Sequence, residues 1–349
     1  MDRIVRKVCA ADLAELEQWA IGQMGEAISP CGTCRPTRDV LQPASIRQTE
    51  RAVAHPVAAV VRSYVHGPVT GSAAVEAWAD DYIRLGRGPE WREQLRENIR
   101  SRCGQLEPSA GQVLHATFFG AKRADADVEN LVLFNMGSFA MAGRNGIRFE
   151  LGTAVPPAPD GAGYLFCYRY ALAPRSGTFA DWRQSRMLAS FDWTDLGTFA
   201  GEKKLARVWL ALARGNVEVV EPACAPETRF AVKVEVRPPH GRQPVWGNLV
   251  KEIFDGVICA LQAHTDTTVL PEVAARLATV ISADRAEIEK HLLDPRRAVL
   301  GAMPRLVKPY GAGVQWQPAD NWCVAGELLP AEPVGPGWAI RGEVVELSR

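Results

Sequence analysis

Cysteine is sparse in this chain. Eight in 349 residues are too few for a disulfide scaffold. Several lie in apolar runs, such as Cys167 in YLFCYRY and Cys259 in GVICALQ, and read as small buried hydrophobes. There is no excess of charge either. Forty basic residues balance forty acidic ones, which excludes a strongly cationic nucleic-acid sleeve but leaves room for a local patch. No run of about 18 uninterrupted apolar residues occurs, so no membrane-spanning helix is expected. The opening stretch MDRIVRKVCAADLAELEQWA is broken by charges and lacks the apolar core of a signal peptide. A reducing cytoplasm is the expected compartment. Neither G-x-G-x-x-G nor G-x-x-x-x-G-K is present, so dinucleotide and P-loop chemistry have no support. The six histidines are scattered and form no Ser-His-Asp or Cys-His arrangement.

What is present is an ordinary globular composition, 47% apolar and 23% charged, long enough for two domains. Residues 1–105 read as helical. Leu13, Leu16, Trp19, Ala20 and Met24 fall at helical spacing, and residues 72–83 and 90–103 behave similarly. Gly88-Pro89 marks a boundary, with Pro89 suited to a helix start. From 106 to 225 the texture becomes strand-like. VLHATFF, GIRFELG, YLFCYRYAL and ARVWLALA are short, rich in aromatic and β-branched residues, and separated by Gly and Pro. Residues 130–142 are ambiguous between helix and strand, and PPAPDGAG at 156–163 is a loop.

Residues 226–349 open with the strand FAVKVEV. Then Leu249, Val250, Ile253, Phe254, Val257, Ile258 and Leu261 define an amphipathic helix. Two more helices follow, PEVAARLATVI with Pro271 near its start and AEIEKHLL behind an Asp284–Glu287 capping pattern. The strand-like pieces GVQW, CVAGELL and WAIRGEVVEL close the chain. The class is α+β, a helical N-terminal region followed by a mixed body.

The body also echoes itself. A shift of 118 residues aligns VLHATFFGAKRADADVENLV with AVKVEVRPPHGRQPVWGNLV, matching Asn130, Leu131 and Val132 to Asn248, Leu249 and Val250. The echo allows two related halves. GNLVKEIFDGVICAL resembles the helix of RusA-type Holliday-junction resolvases, which opens with D-x-D-N-L-x-K. GVQWQPADNWCV resembles that family's closing strand, with its tryptophan and D-D-x-x-V. The resemblance covers about a quarter of the chain.

The resemblance implies that loop acids and a strand acid bind divalent metal and cleave DNA. In the second copy Val245 and Gly247 replace the loop acids. Asp320 matches a strand acid, with Asn321 for its neighbour. That copy is expected to be structural or to help bind substrate. The first copy departs less. Asp127-Val128-Glu129-Asn130-Leu131 reads D-x-E-N-L, although Leu133 stands in the lysine's place.

Asp125, Asp127 and Glu129 alternate, so in an extended loop they point to one side. Converging acids need a cation, and Mg²⁺ or Mn²⁺ takes one or two carboxylates and keeps its water. Glu150 is the candidate ligand from the next strand. Asp127 and Glu129 are the candidate catalytic pair. Lys122 and Arg123 are placed to hold a phosphate, and Arg92, Arg96 and Arg100 form a helical stripe that can follow a nucleic-acid backbone, DNA or RNA. The plainer alternatives are a solvated turn at 122–130 and a salt-bridged surface with Glu93 and Glu97. Cys31 and Cys34 have half of a zinc site's ligands.

The expected function is nucleic-acid processing by a metal-dependent nuclease with one degenerate half. The alternatives are a non-catalytic interaction protein, or an unrelated enzyme with a small-molecule pocket. The sequence does not set the oligomeric state.

Overall fold

In a computed structural model, residues 61–349 are described, apart from 69–73, 87, 123, 125, 138, 200–203, 221–222 and 226. The expected helix at 12–28, the Cys31–Cys34 pair, Arg123 and Asp125 lie outside the described residues. Secondary structure begins with β1 (Ser63–His66) and β2 (Ala74–Ala79), then α1 (Glu90–Cys103), β3 (Gln112–Gly120), a π-helical turn (Asn130–Phe134), β4 (Ile147–Leu151) and β5 (Phe166–Pro174). There follow β6 (Arg183–Gly197), α2 (Lys204–Arg214), β7 (Val217–Val219), β8 (Phe230–Arg237) and α3 (Val250–Ala260). Then come β9 (Ala263–His264), α4 (Leu270–Leu277), α5 (Arg285–Leu292), β10 (Ala302–Met303), a hairpin of β11 (Val307–Tyr310) and β12 (Gly313–Trp316), β13 (Cys323–Pro330) and β14 (Trp338–Ser348).

The α+β class holds. Two expectations about individual elements do not. Residues 74–79 form a strand, not a helix. Val75, Ala77 and Ala79 join the main core on one sheet face while Trp78 joins a small cluster on the other, and burial on both faces hides the alternation. ARVWLALA lies within helix α2, not a strand. Its buried Ala206, Trp209, Leu210 and Ala213 follow the helical i, i+3, i+4, i+7 pattern, and Ala and Leu are strong helix formers. The long strand β6 has no counterpart among the expected elements.

Ten strands form one mixed sheet in the order β1-β2-β5-β3-β4-β13-β8-β14-β6-β7. The order is palindromic about the β4–β13 pair. β3 lies between parallel β4 and antiparallel β5, and β8 lies between parallel β13 and antiparallel β14. Outside these, β2 pairs antiparallel with β5, and β6 with β14. Helix α1 separates β2 from β3 in the chain, and α2 separates β6 from β8. Leu114 stands opposite Ile147 and Leu172, and Val232 stands opposite Gly326 and Val344. The strands before Asn130 and before Asn248, β3 and β8, hold matching positions in this order. The halves meet where β4 and β13 pair antiparallel, from Ala325 opposite Glu150 to Leu328 opposite Ile147.

The main core lies between the helices and one sheet face. Leu95 and Ile99 of α1, Trp209 of α2, and Ile253, Phe254 and Val257 of α3 supply its helical side. At the junction of the halves the Phe254 and Phe149 rings approach to 5.5 Å between centroids. Gly326 allows this contact. A Cβ there would lie 2.2 Å from Phe254 and 2.6 Å from Phe149. Gly256 does the same for the helices, since a Cβ would meet Val208 of α2 at 2.5 Å.

Candidate active site

Three segments bring four acids and one lysine together at the junction of the halves. Asp127 and Glu129 come from the turn after β3. Lys251 and Asp255 are i, i+4 on α3, and so share one helix face. Asp320 starts the short 3₁₀ turn that leads into β13. Lys251 Nζ lies 3.1 Å from Asp255, 3.4 Å from Glu129, 3.8 Å from Asp127 and 4.0 Å from Asp320. Phe149, Phe254, Ile258 and Cys323 line the narrow cavity beneath.

Local hydrogen bonds hold the first pair in place. Asp127 Oδ1 accepts from the Asn130 backbone N–H at 2.8 Å, and Oδ2 accepts from Asn130 Nδ2 at 2.7 Å. Asp127 thus caps the π-helical turn, so D-x-E-N-L is a folding signal as well as a source of carboxylates. Tyr170 anchors the same turn by donating to the Val132 carbonyl at 2.9 Å.

The acids outnumber their cation. Four carboxylates face one ammonium, an excess of three negative charges if all are ionised. Burial pushes Glu129 up to about 8; Asp127 and Asp255 add to this and Lys251 opposes it. Burial likewise raises Asp255 to about 6 against the pull of Lys251. Asp320 goes up to about 8 through burial and through the charge of Asp127, with which it shares a hydrogen bond. Burial alone would lower the Lys251 pKa, but the Glu129, Asp255, Asp127 and Asp320 charges hold it well above the usual lysine value. Such a cluster can trade protons for a cation, or lend a proton to a leaving group.

Other expected site residues lie elsewhere. Glu150 is fully buried on the sheet face opposite Phe149, because neighbouring strand residues point to opposite sides. Its oxygens accept from the Ala180 and Asp181 backbone N–H groups at 2.8 and 3.0 Å, and His115 Nε2 lies 2.7 Å away. Burial would raise its pKa, but these partners hold it below the usual range. Lys122 is exposed just beyond β3.

The arginine stripe is used within the molecule. Arg92 is buried over the Trp91 ring at 5.5 Å. Arg96, also buried, donates to the Asn135 carbonyl at 2.8 Å and the Arg84 carbonyl at 3.2 Å, and pairs with Glu93. Arg100 donates to the Met136 carbonyl.

Asp255 was not among the expected residues, although its place one turn after Lys251 was a usable signal. Lys251 and Asp320 lie in the strings of the second copy, and no local signal joins them to the first. Among the described residues, no three Asp, Glu, His or Cys side chains stand ready to hold a metal ion, and here Lys251 sits among the acids. No described helix is long and apolar enough to cross a membrane. Comparison with protein-family models, curated proteins and solved structures finds no match to this chain.

Proposed function

We propose that the protein is a divalent-metal-dependent phosphodiesterase acting on nucleic acid, with one centre built from both halves of an internal duplication. One observation carries this reading. The acids of the D-x-E-N-L turn meet the lysine of N-L-V-K and the acid before the closing strand, although these come from different copies. Each copy lacks part of the signature, and the other supplies it.

The chemistry of the donors fits Mg²⁺ or Mn²⁺. They are hard carboxylate oxygens, largely buried, and they outnumber the one ammonium among them. One or two carboxylates suffice for such an ion, so Asp127 and Glu129 would hold it with water completing its shell, and Lys251 would then be released to bind a phosphate oxygen. When bound, such an ion activates water and offsets the charge of a phosphoryl transition state. Asp255 keeps Lys251 charged and anchored. Phe149 and Phe254 exclude water from beneath.

A second reading is favoured by the position of Lys251. The ammonium already partly neutralises the acids, so the cluster can serve as an ionic lock in a protein that works by association alone. Metal linkage separates the two. Millimolar Mn²⁺ or Mg²⁺ should raise the melting temperature, with about 2.7 kcal/mol of added stability at 100-fold excess over Kd. The Asp127→Asn, Glu129→Gln double variant should lose that rise together with any cleavage of DNA or RNA. A wild-type melting curve unmoved by metal would leave the ionic lock.

A further inference from the structure

We infer that the cleft between the loop after β8 and the start of β14 binds a nucleotide, its phosphate on Arg242 and His240 and its base against Phe199 and Trp338. The inference uses none of the acid cluster and stands apart from the phosphodiesterase reading.

The loop from Pro238 to Leu249 holds no Asp or Glu. Its charge comes from Arg242, and His240 adds to it when protonated. A turn fixes the pair. The Arg242 backbone N–H donates to the Pro239 carbonyl at 3.2 Å, and Gly241 takes a φ of +74° that glycine adopts without strain. The His240 backbone N–H donates to the Gly335 carbonyl at 3.1 Å, which ties the turn to the segment entering β14. Both residues are exposed, and among the described residues the Arg242 guanidinium and the His240 ring have no hydrogen-bonding or ionic partner.

Arg242 and His240 line a cleft of about 760 Å³ that no acidic side chain lines. That is ample for a small ligand. Phe199 and Trp338 form its apolar wall, with ring centroids 5.8 Å apart. Phe199 holds its place at a φ of +39°, a costly backbone for a bulky residue, and strain of this kind gathers at ligand sites. Thr198 adds a hydroxyl to the lining. It accepts from Arg207 at 3.2 Å, so its own proton is left to donate to a ligand.

These groups suit a phosphate joined to a flat apolar body. A guanidinium fork takes two phosphate oxygens at once. With no carboxylate on the wall, an anion enters without like-charge repulsion. A base then covers the aromatic wall. Inorganic phosphate would leave that wall wet, and a nucleoside would leave the fork unused. A free mononucleotide and the end of a strand offer the same chemistry.

Calorimetry on the full chain in EDTA tests this, with AMP, adenosine and inorganic phosphate as separate probes. AMP should bind, and adenosine and phosphate should each bind at least about tenfold more weakly. Arg242→Ala should weaken AMP by about tenfold or more, as loss of a charge-assisted fork does. Its melting temperature should match the wild type, because the residue is exposed. Displacement of AMP by a short 5′-phosphorylated oligothymidylate would assign the site to a strand end, and no displacement to a free nucleotide. Absence of AMP binding would overturn the inference. So would adenosine or phosphate binding as tightly as AMP, or Arg242→Ala binding AMP like the wild type. None of these outcomes touches the acid cluster, so the phosphodiesterase reading is decided separately by its metal linkage.

Discussion

Lys251 and Glu129 are 122 positions apart in the chain, and their side chains approach to 3.4 Å. One belongs to the helix of the second half, the other to the turn of the first. Their contact is made possible by the antiparallel pairing of β4 with β13, which sets the two halves edge to edge.

Lys251→Met should leave four largely buried carboxylates without their cation. Breaking such a set costs about 3 kcal/mol or more at pH 8. The loss should shrink near pH 5, where Glu129 and Asp320 bind protons. Urea unfolding at the two pH values checks this, and an equal loss at both would contradict it.

Stability should fall as pH rises from about 5 to about 8. Glu129, Asp255 and Asp320 have folded-state pKa values raised to about 8, 6 and 8, so the native state binds more protons than the unfolded chain in that window. Each group adds a slope of up to about 1.4 kcal/mol per pH unit between its unfolded and folded pKa. Lys251 is raised in the far alkaline range, so its contribution stays constant here. Asp320→Asn should flatten the dependence, and an unchanged pH profile would show that Asp320 does not titrate as described.

Mn²⁺ binding should release protons. Affinity should rise with pH between 6 and 8, by up to about tenfold per unit for each proton displaced. Calorimetry in buffers of different ionisation enthalpy measures the proton count directly. A count of zero would mean that the acids are already ionised.

Arg96→Ala should cost about 1–3 kcal/mol by leaving the Asn135 and Arg84 carbonyls without their donor. Replacing Arg92, Arg96 and Arg100 together should leave the salt dependence of any nucleic-acid binding unchanged. A slope flattened by roughly three would restore them as phosphate contacts.

Phe254→Ala should cost about 3–5 kcal/mol, because the ring is 2% exposed and packs on Phe149 under the acids. Gly326→Ala should cost about 1–3 kcal/mol by overpacking the same ring. Chemical denaturation of both variants tests whether the junction is packed as described.

Local pattern was enough for much of the fold. The β-branched and aromatic strings VLHATFF and FAVKVEV, the apolar stripe of residues 249–261 and the Asp284 cap all reappear as elements, and Asp284 accepts from the Glu287 backbone N–H at 2.9 Å. Pattern failed where burial erased contrast. β2 is covered on both faces. In α2 the helical signal was present, since Arg207 and Arg214 lie seven apart on one side, but its short aromatic and branched string also suits a strand. The site was half legible. Asp127, Glu129, Lys251 and Asp320 each stood in a recognisable string. Their convergence did not, because it depends on the β4–β13 pairing and no short stretch encodes a contact between halves. Glu150 shows the converse difficulty. Closeness in sequence to Phe149 says nothing of sharing its face, since one step along a strand reverses the side chain.

The palindromic sheet also has a consequence at its margins. Its outer strands, β1 and β7, come from opposite halves and are four and three residues long. Strands this short offer few free backbone groups for a newcomer to pair with. The central strands that join the halves are capped on both flanks by their own neighbours. Among the described residues, then, edge-to-edge joining, which sets one half beside the other, has little purchase for adding a third.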